Sequence, residues 1–356
     1  MSENRLSFPR IDPLTQFSVG AIAAVSIARK PTEVRHALVL GALAGGAPDL
    51  DIFIRSDADP LLALEYHRHF THALIFAPLI GVLVASLYKV IFARKQPWGK
   101  ILQFGIIATL THGFIDACTS YGTMLYWPLS NHRESWDIIS IIDPIFTVPL
   151  VVALIFAWCW KSRRPAIVGL VLACAYLSFG VYQREQAADF AFELATQRGH
   201  SPAELTVRPS LANVLLWRVV YRERDRYYVD AVWTFPGFEA RHYPGESVPV
   251  FGEMEAYALV NPDSTLWHDI ERFRFFSQNY LFLHGQSPLV AGDLRYAMYP
   301  DSVTPLWGIG IDPGKPDTPV EVLHFREMNG GAFDRLWKMI RGKPVATYQQ
   351  FRQNQK

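Results

Sequence analysis

Long apolar stretches fill the first half of this chain and constrain its fold more than any other feature. Between residues 101 and 182 only eight side chains are Asp, Glu, Lys or Arg, about half the 19% share found over all 356 residues. Membrane-spanning helices need roughly 17–25 mainly apolar residues. Stretches near that length recur at 14–28, 37–54, 73–93, 101–118, 145–160 and 165–182. We therefore predict an α-helical polytopic membrane domain of about five to six transmembrane helices over residues 1–183.

Basic residues cluster in alternate connections between these stretches, at 29–35, 94–100 and 161–164. The positive-inside rule puts these connections on the cytoplasmic side, so the intervening ones face outward. If 14–28 crosses the membrane, both termini lie outside; if it is re-entrant or interfacial, only the N-terminal side changes. We expect a multi-pass protein of the inner (plasma) membrane, with the lipid bilayer as its partner.

After residue 183 the composition changes to alternating polar and aromatic segments. Period-two alternation at 214–222, 226–235 and 293–300 predicts strands, and helical spacing follows an N-cap at Ser264 or Asp263. Residues 184–356 are thus expected to form a small α+β extramembrane domain, which the topology makes extracytoplasmic. It carries no motif with an assignable role.

Charge and cysteine content exclude several classes of protein. A net charge of +1 argues against a nucleic-acid binder, which needs a basic surface. The three cysteines all lie in apolar stretches, so they indicate neither a disulfide framework nor a cysteine zinc site.

Ionisable residues concentrate at the outer ends of the apolar stretches, where they are costly unless paired and are therefore functional candidates. The first cluster holds Asp49 and Asp51, in a turn formed after two glycines and around Pro48. Carboxylates at this spacing can face one cation or bridge two. The alternative is a helix N-cap beside a solvated acid.

The second cluster packs three histidines and an arginine into residues 67–72. We expect His69 and His72 to share a face of the helix that enters 73–93, with His67 just ahead of that helix. Arg68 offers a planar fork that suits a phosphate or a carboxylate. The alternative is an interfacial basic patch.

The third cluster places His112 and Asp116 one helical turn apart inside the stretch 101–118. Residues four apart share a helix face, so the two side chains can present two ligands to one metal. Asp116 can instead orient His112, or the two can form a structural pair.

The predicted topology brings the three clusters to one level at the outer face. Oxygen and nitrogen ligands without thiolates suit Zn²⁺, Mn²⁺ or Fe²⁺, and we expect Zn²⁺ or Mn²⁺. Asp51 and Arg68 are the catalytic candidates. One or two divalent ions would be held by Asp49, Asp51, His67, His72, His112 and Asp116.

In their order and spacing these residues resemble the YdjM-like family of membrane-bound proteins, which are predicted metal-dependent hydrolases. The resemblance covers roughly residues 10–160 and rests on the segments 12–16, 41–51, 66–72, 111–116, 120–123 and 142–144. It implies an integral inner-membrane protein with metal-dependent hydrolase activity. His67, His72, His112 and Asp116 match the family pattern, whereas glycine usually stands in place of His69.

These observations favour a hydrolase that acts on an ester or phosphoester of a lipid-linked or amphipathic substrate. A transporter or ion path that uses the His and Asp residues is an alternative, although few polar residues continue through 75–92 or 146–160. A non-catalytic scaffold with a structural metal is another. Protein partners and oligomeric state stay open.

Overall fold

The computed structural model describes residues 13–285, 288–325 and 331–353, which fall into two compact units. The first unit comprises the described residues up to Ile54 together with Tyr66–Val181. The second comprises Arg55–Glu65 together with the described residues from Tyr182 onward. A short segment from the N-terminal half of the chain therefore belongs to the C-terminal unit.

The first unit is helical. Its helices are α1 (Pro13–Ser26), α2 (Pro31–Gly46), α4 (Ala77–Phe92), α5 (Trp98–Cys118) and α6 (Pro144–Trp160), with 3₁₀ helices at Ala47–Phe53 and Phe70–His72. The five-residue α3 (Leu62–Tyr66) precedes the second 3₁₀ helix, and α7 (Arg164–Gln197) contains the boundary between the units.

Among the described helices, α5 and α7 are long and apolar enough to cross a membrane. A third candidate span arises if α4 is joined to the preceding residues 62–72 across a bend of 81°. Helices α1 and α6 are apolar but only 14 and 17 residues long. The predicted helical N-terminal region is confirmed with two or three candidate spans, and the count of five to six stays a prediction.

Glycines bring α1 and α2 into close contact. A Cβ on Gly20 would lie 2.5 Å from the carbonyl oxygen of Gly41, and a Cβ on Gly45 would lie 2.7 Å from that of Gln16. Small residues allow such approach of helix backbones, which stabilises membrane bundles through van der Waals packing. The contact fixes Gln16 and Gly45 at one level of the unit.

The described residues of the second unit form two antiparallel four-stranded sheets, each with its strands in chain order. Their strands are β1 (Glu204–Pro209), β2 (Leu216–Glu223), β3 (Arg226–Trp233), β4 (Arg241–Pro249), β5 (Leu281–His284), β6 (Leu289–Asp293), β7 (Trp307–Ile311) and β8 (Val322–His324). The described helices after β4 are α8 (Glu253–Leu259), α9 (Thr265–Phe276), α10 (Ala332–Ile340) and α11 (Tyr348–Gln353).

Two of the three predicted strands are confirmed as β2 and β3, and the predicted helix is confirmed as α9. The Ser264 side chain caps α9 by accepting a hydrogen bond from the Trp267 backbone N–H. The two strands pair as an antiparallel hairpin, in which residues 216–221 of β2 are buried at every position and not on one face only.

The predicted strand at 293–300 is wrong, because only Asp293 belongs to a strand. The carbonyl oxygens of Leu294 and Pro300 accept hydrogen bonds from the Arg218 guanidinium instead of from a neighbouring strand. Arg295 turns back to the Asp293 carboxylate at 2.7 Å. A buried arginine thus replaces the β-ladder that period-two alternation suggested.

Helix α7 continues beyond the apolar stretch that ends at residue 182. Its last turns bury Ala187, Ala191 and Ala195, which lie four apart and form one helix face. The helix ends just before Gly199, whose φ of +76° is the left-handed conformation common after helix C-termini.

Candidate metal centre

Four ligand atoms from three parts of the first unit converge. They belong to Asp49 on the first 3₁₀ helix, His72 at the end of the second, and His112 and Asp116 on α5, and all lie within 4.8 Å of one another. His72 Nε2 is 3.4 Å from Asp49 Oδ1 and 3.0 Å from Asp116 Oδ2. His112 Nε2 is 3.5 Å from each of the same oxygens.

These separations fit a shared metal ion. Ligands about 2.0–2.2 Å from a tetrahedral ion lie about 3.3–3.6 Å apart. None of the four atoms has a hydrogen-bond partner of acceptable geometry among the described residues, and the His72, His112 and Asp116 side chains are fully buried. Buried polar atoms are costly when unpaired, so a divalent cation would stabilise this arrangement.

Hydrogen bonds to the far side of each ring orient the two histidines. His112 Nδ1 lies 2.6 Å from the Gly45 carbonyl oxygen and must donate to it, which leaves the Nε2 lone pair for a metal. His72 Nδ1 lies 2.9 Å from Thr71 Oγ1, whose own proton goes to Asp51 Oδ2. His72 therefore also donates through Nδ1 and presents Nε2, the arrangement typical of metal-ligating histidines.

Asp51 and His67, both predicted as ligands, lie outside the group of four atoms. Asp51 Oδ1 accepts a hydrogen bond from His67 Nδ1 at 2.9 Å, and Oδ2 accepts from the Arg68 backbone N–H at 2.9 Å. Asp51 Oδ2 is also 3.3 Å from His72 Nδ1. Asp51 thus lies on the Nδ1 side of His72, away from the four ligand atoms, and His67 contacts its other carboxylate oxygen.

Gln16 contacts the candidate metal centre, although no role was predicted for it from the sequence. Its Nε2 donates to Asp116 Oδ1 at 2.6 Å, which directs the other carboxylate oxygen toward the two histidines. Gln16 is the last residue of the segment 12–16, which is one of the segments that carry the family resemblance. Its place in that segment was the sequence signal that could have identified it as a site residue. Asp12 of the same segment lies outside the described residues.

Arg68 lies beside the four ligand atoms and is fully buried. Its Nη1 donates to Thr119 Oγ1 at 2.9 Å, and its Nε is 3.5 Å from Asp116 Oδ2. Nε and Nη2 have no hydrogen-bond partner of acceptable geometry in the described part of the chain. The Nε–Nη2 edge of the guanidinium, whose Nε also forms an ion pair with Asp116, therefore keeps hydrogen-bonding capacity for an anion.

The expectation that His69 and His72 share a helix face is wrong. Arg68 has a φ of +61°, which interrupts the helix after Tyr66, and α4 begins only at Ala77. His69 consequently packs against the Trp127 ring, 5.1 Å between centroids, while His72 enters the metal group. A left-handed non-glycine residue costs about 1–3 kcal/mol and is typical of functional sites.

Gly113 provides the space for His72. A Cβ at this position would lie 2.2 Å from the His72 carbonyl oxygen. Because Gly113 follows His112 on α5, the helix can approach the His72 backbone closely enough for both rings to face the same point.

Comparisons with known proteins match the region of the chain that forms this site. A relative named uncharacterized protein YfhP, from Bacillus subtilis (strain 168), is 25% identical over 157 residues, which cover 44% of this chain and 47% of that protein. The aligned part is thus less than half the length of either chain. No solved structure matches. A family model described as YdjM inner membrane protein matches residues 11–187, which include every residue of the candidate metal centre. The N-terminal half of this chain, residues 11–187, therefore belongs to the YdjM inner membrane protein family.

Proposed function

We propose that this chain is a membrane-bound, metal-dependent hydrolase of anionic esters, with phosphoesters as the preferred class. The carrying observation is the convergence of Asp49, His72, His112 and Asp116, whose four ligand atoms face one point without hydrogen bonds among themselves. Nitrogen and oxygen ligands of this kind suit Zn²⁺ or Mn²⁺. A divalent ion there would supply a Lewis acid and an activated water.

Other residues of this chain would orient the metal ligands and bind the substrate. Gln16 holds Asp116 in its binding orientation by a direct hydrogen bond. Asp51 holds His72 through Thr71, whose hydroxyl donates to Asp51 and accepts from His72. The Asp49 side chain is 22% exposed, whereas the other three ligand side chains are fully buried, so substrate would approach past Asp49. Arg68 would bind an oxygen of the anionic group through Nε and Nη2.

Two exposed apolar side chains support a lipid-linked or amphipathic substrate. Leu50 lies between the two aspartates of the first 3₁₀ helix and Phe53 ends that helix; they are 62% and 69% exposed. Apolar surface beside a polar site is suited to an acyl or prenyl chain whose headgroup carries the ester. Together with the basic clusters, this supports a multi-pass protein whose centre and C-terminal domain lie on the outer side of the inner membrane.

Metal content and turnover, measured on the same samples, test the proposal. We would purify the full chain in detergent, load it with Zn²⁺ or Mn²⁺, and measure bound metal by elemental mass spectrometry for wild type and His112→Ala. His36→Ala is the matched control, since His36 also lies in a helix of the first unit but bonds to Tyr88. We expect stoichiometric metal in wild type and the control, and its loss in His112→Ala.

Hydrolysis of an ester and phosphoester panel separates the alternatives. Turnover that disappears with the metal supports the hydrolase, and Arg68→Lys should reduce turnover of phosphoesters more than that of neutral esters because lysine lacks the fork. Metal without turnover would indicate a structural site in a scaffold. A wild type that binds neither ion would overturn the proposal in favour of an ion or proton path.

A further inference from the structure

The segment Arg55–Glu65 connects two parts of the candidate metal centre but belongs to the second unit. In sequence it follows Asp49 and Asp51 directly and precedes His67, Arg68 and His72. We call it the connector. A residue of the second unit that holds the connector could therefore influence the candidate metal centre.

Arg272 on α9 makes charged hydrogen bonds to the middle and to the C-terminal end of the connector. Its Nη1 and Nη2 donate to the two carboxylate oxygens of Asp59 at 3.0 and 2.9 Å, which is a bidentate pair. Nη2 also donates to Glu65 Oε2 at 2.8 Å. Asp269, one turn earlier on α9, accepts from Nη1 at 3.1 Å and so fixes the guanidinium plane.

Hydrogen bonds also join the residues that precede the connector to those that follow it. His67 Nδ1, the Arg68 backbone N–H and Thr71 Oγ1 all donate to the Asp51 carboxylate, which joins the chain before the connector to the chain after it. Ordering a loop between two fixed ends costs conformational entropy. A contact that already restrains the loop lowers the cost of assembling the residues at its base.

We propose that Arg272 is a positioning residue for the metal centre: by holding Asp59 and Glu65 it pre-orders the connector and raises the affinity of the centre for a divalent ion. This inference rests on the proposed metal-binding function. Arg272 lies beyond residues 11–187, so the C-terminal unit would tune a site that the family region builds. That gives the unit, which carries no recognised motif, a role in the site.

Metal affinity and hydrogen exchange of the full chain test this role. Arg272→Ala should weaken Zn²⁺ or Mn²⁺ binding by about two- to fivefold, as expected for a partly exposed ion-pair network. It should also speed amide exchange in residues 55–65. Arg272→Lys should recover part of both effects, because lysine keeps the charge but not the bidentate geometry.

Arg274→Ala is the matched control. Arg274 lies on the same helix and pairs with Glu271 at 2.9 Å instead of with the connector. Its removal should leave metal affinity and exchange at 55–65 unchanged. The charge exchange Arg272→Asp with Asp59→Arg should restore affinity relative to Arg272→Asp alone.

The outcomes separate this inference from the proposed function. If Arg272→Ala binds the divalent ion as tightly as the wild type does, the positioning role is overturned and the proposed metal centre stands. A wild type that binds no divalent ion overturns the metal centre, and the positioning role with it. Equal weakening by Arg272→Ala and Arg274→Ala would show a general loss of stability in the second unit and would also overturn the specific role.

Discussion

Both units bury charged side chains, but they pair them in opposite ways. In the second unit, Arg218 donates to the carbonyl oxygens of Leu294, Pro300 and Ser302, and Arg335 faces Asp301 with both nitrogens. Every one of these contacts has hydrogen-bond geometry. In the first unit, the ligand atoms of the candidate metal centre approach each other closely without such geometry.

The difference shows that burial of charged side chains does not by itself identify the site. The lack of hydrogen bonds among the converging ligand atoms does. A buried arginine whose donors are all used stabilises a fold, and removal of its partner leaves an uncompensated charge. In the candidate metal centre four ligand atoms face one point, and Gln16, Gly45 and Thr71 hold the outer atoms of three of the four side chains, which leaves coordination capacity for an ion. The two arrangements should respond differently to mutation.

The largest effect on stability is expected from Asp301→Ala. The Asp301 and Arg335 side chains are 1% and 4% exposed, so truncation should lower the free energy of unfolding by about 3–5 kcal/mol. Denaturant unfolding followed by hydrogen exchange in the second unit measures this. Metal affinity should stay unchanged where that unit is folded.

The control for this change is Asp312→Ala, which removes an exposed ion pair with Lys315. It should cost less than about 1 kcal/mol. If Asp301→Ala lowered the free energy of unfolding by as little as Asp312→Ala, the buried pair would contribute no more than an exposed one. The contrast between the two units would then weaken.

Gln16→Ala should act on metal affinity instead. Loss of the hydrogen bond to Asp116 removes the group that orients a ligand, and such changes typically cost about 10–100-fold in affinity. Gln183→Ala is the matched control, because Gln183 is equally buried and donates to the Thr234 carbonyl oxygen in the second unit. Titration with Zn²⁺ or Mn²⁺ compares them; equal affinities would contradict an orienting role for Gln16.

A smaller effect is expected in acid, from Asp230 of β3. Burial raises the pKa of Asp230, but hydrogen bonds from His242 and Arg198 outweigh it and lower the pKa below its ordinary value of 3.8. The ionised carboxylate therefore stabilises the fold above that value, and the stabilisation is lost as the pH falls through the lower folded-state pKa.

The measurement is the pH dependence of hydrogen exchange in β2 and β3. Asp230→Asn should reduce the pH dependence of protection from amide exchange below about pH 5. It should also lower the free energy of unfolding by about 1–2 kcal/mol at neutral pH. Glu239→Gln, which alters an exposed carboxylate, should leave the profile unchanged. An unchanged profile in Asp230→Asn would show that other groups govern acid unfolding.

Local spacing made part of the site predictable. His112 and Asp116 lie one turn apart on α5, and their common face follows from helix geometry alone. The clusters around Asp49 and His72 were recognisable because ionisable residues beside apolar stretches are rare. Asp51 and His67 could not be separated from the converging residues by sequence, since each depends on the fold of the turn around Arg68.

Hydrophobic periodicity and residue type are local properties, so they were enough to predict the helical, membrane-compatible first half, two strands and a helix of the second half, and a group of Asp and His residues that could bind a metal ion. Three features depend on tertiary structure: which residues converge, the hydrogen bond from Gln16 to Asp116, and the contact of the connector with Arg272. Those relations join residues far apart in the chain, through side-chain hydrogen bonds that no spacing rule encodes.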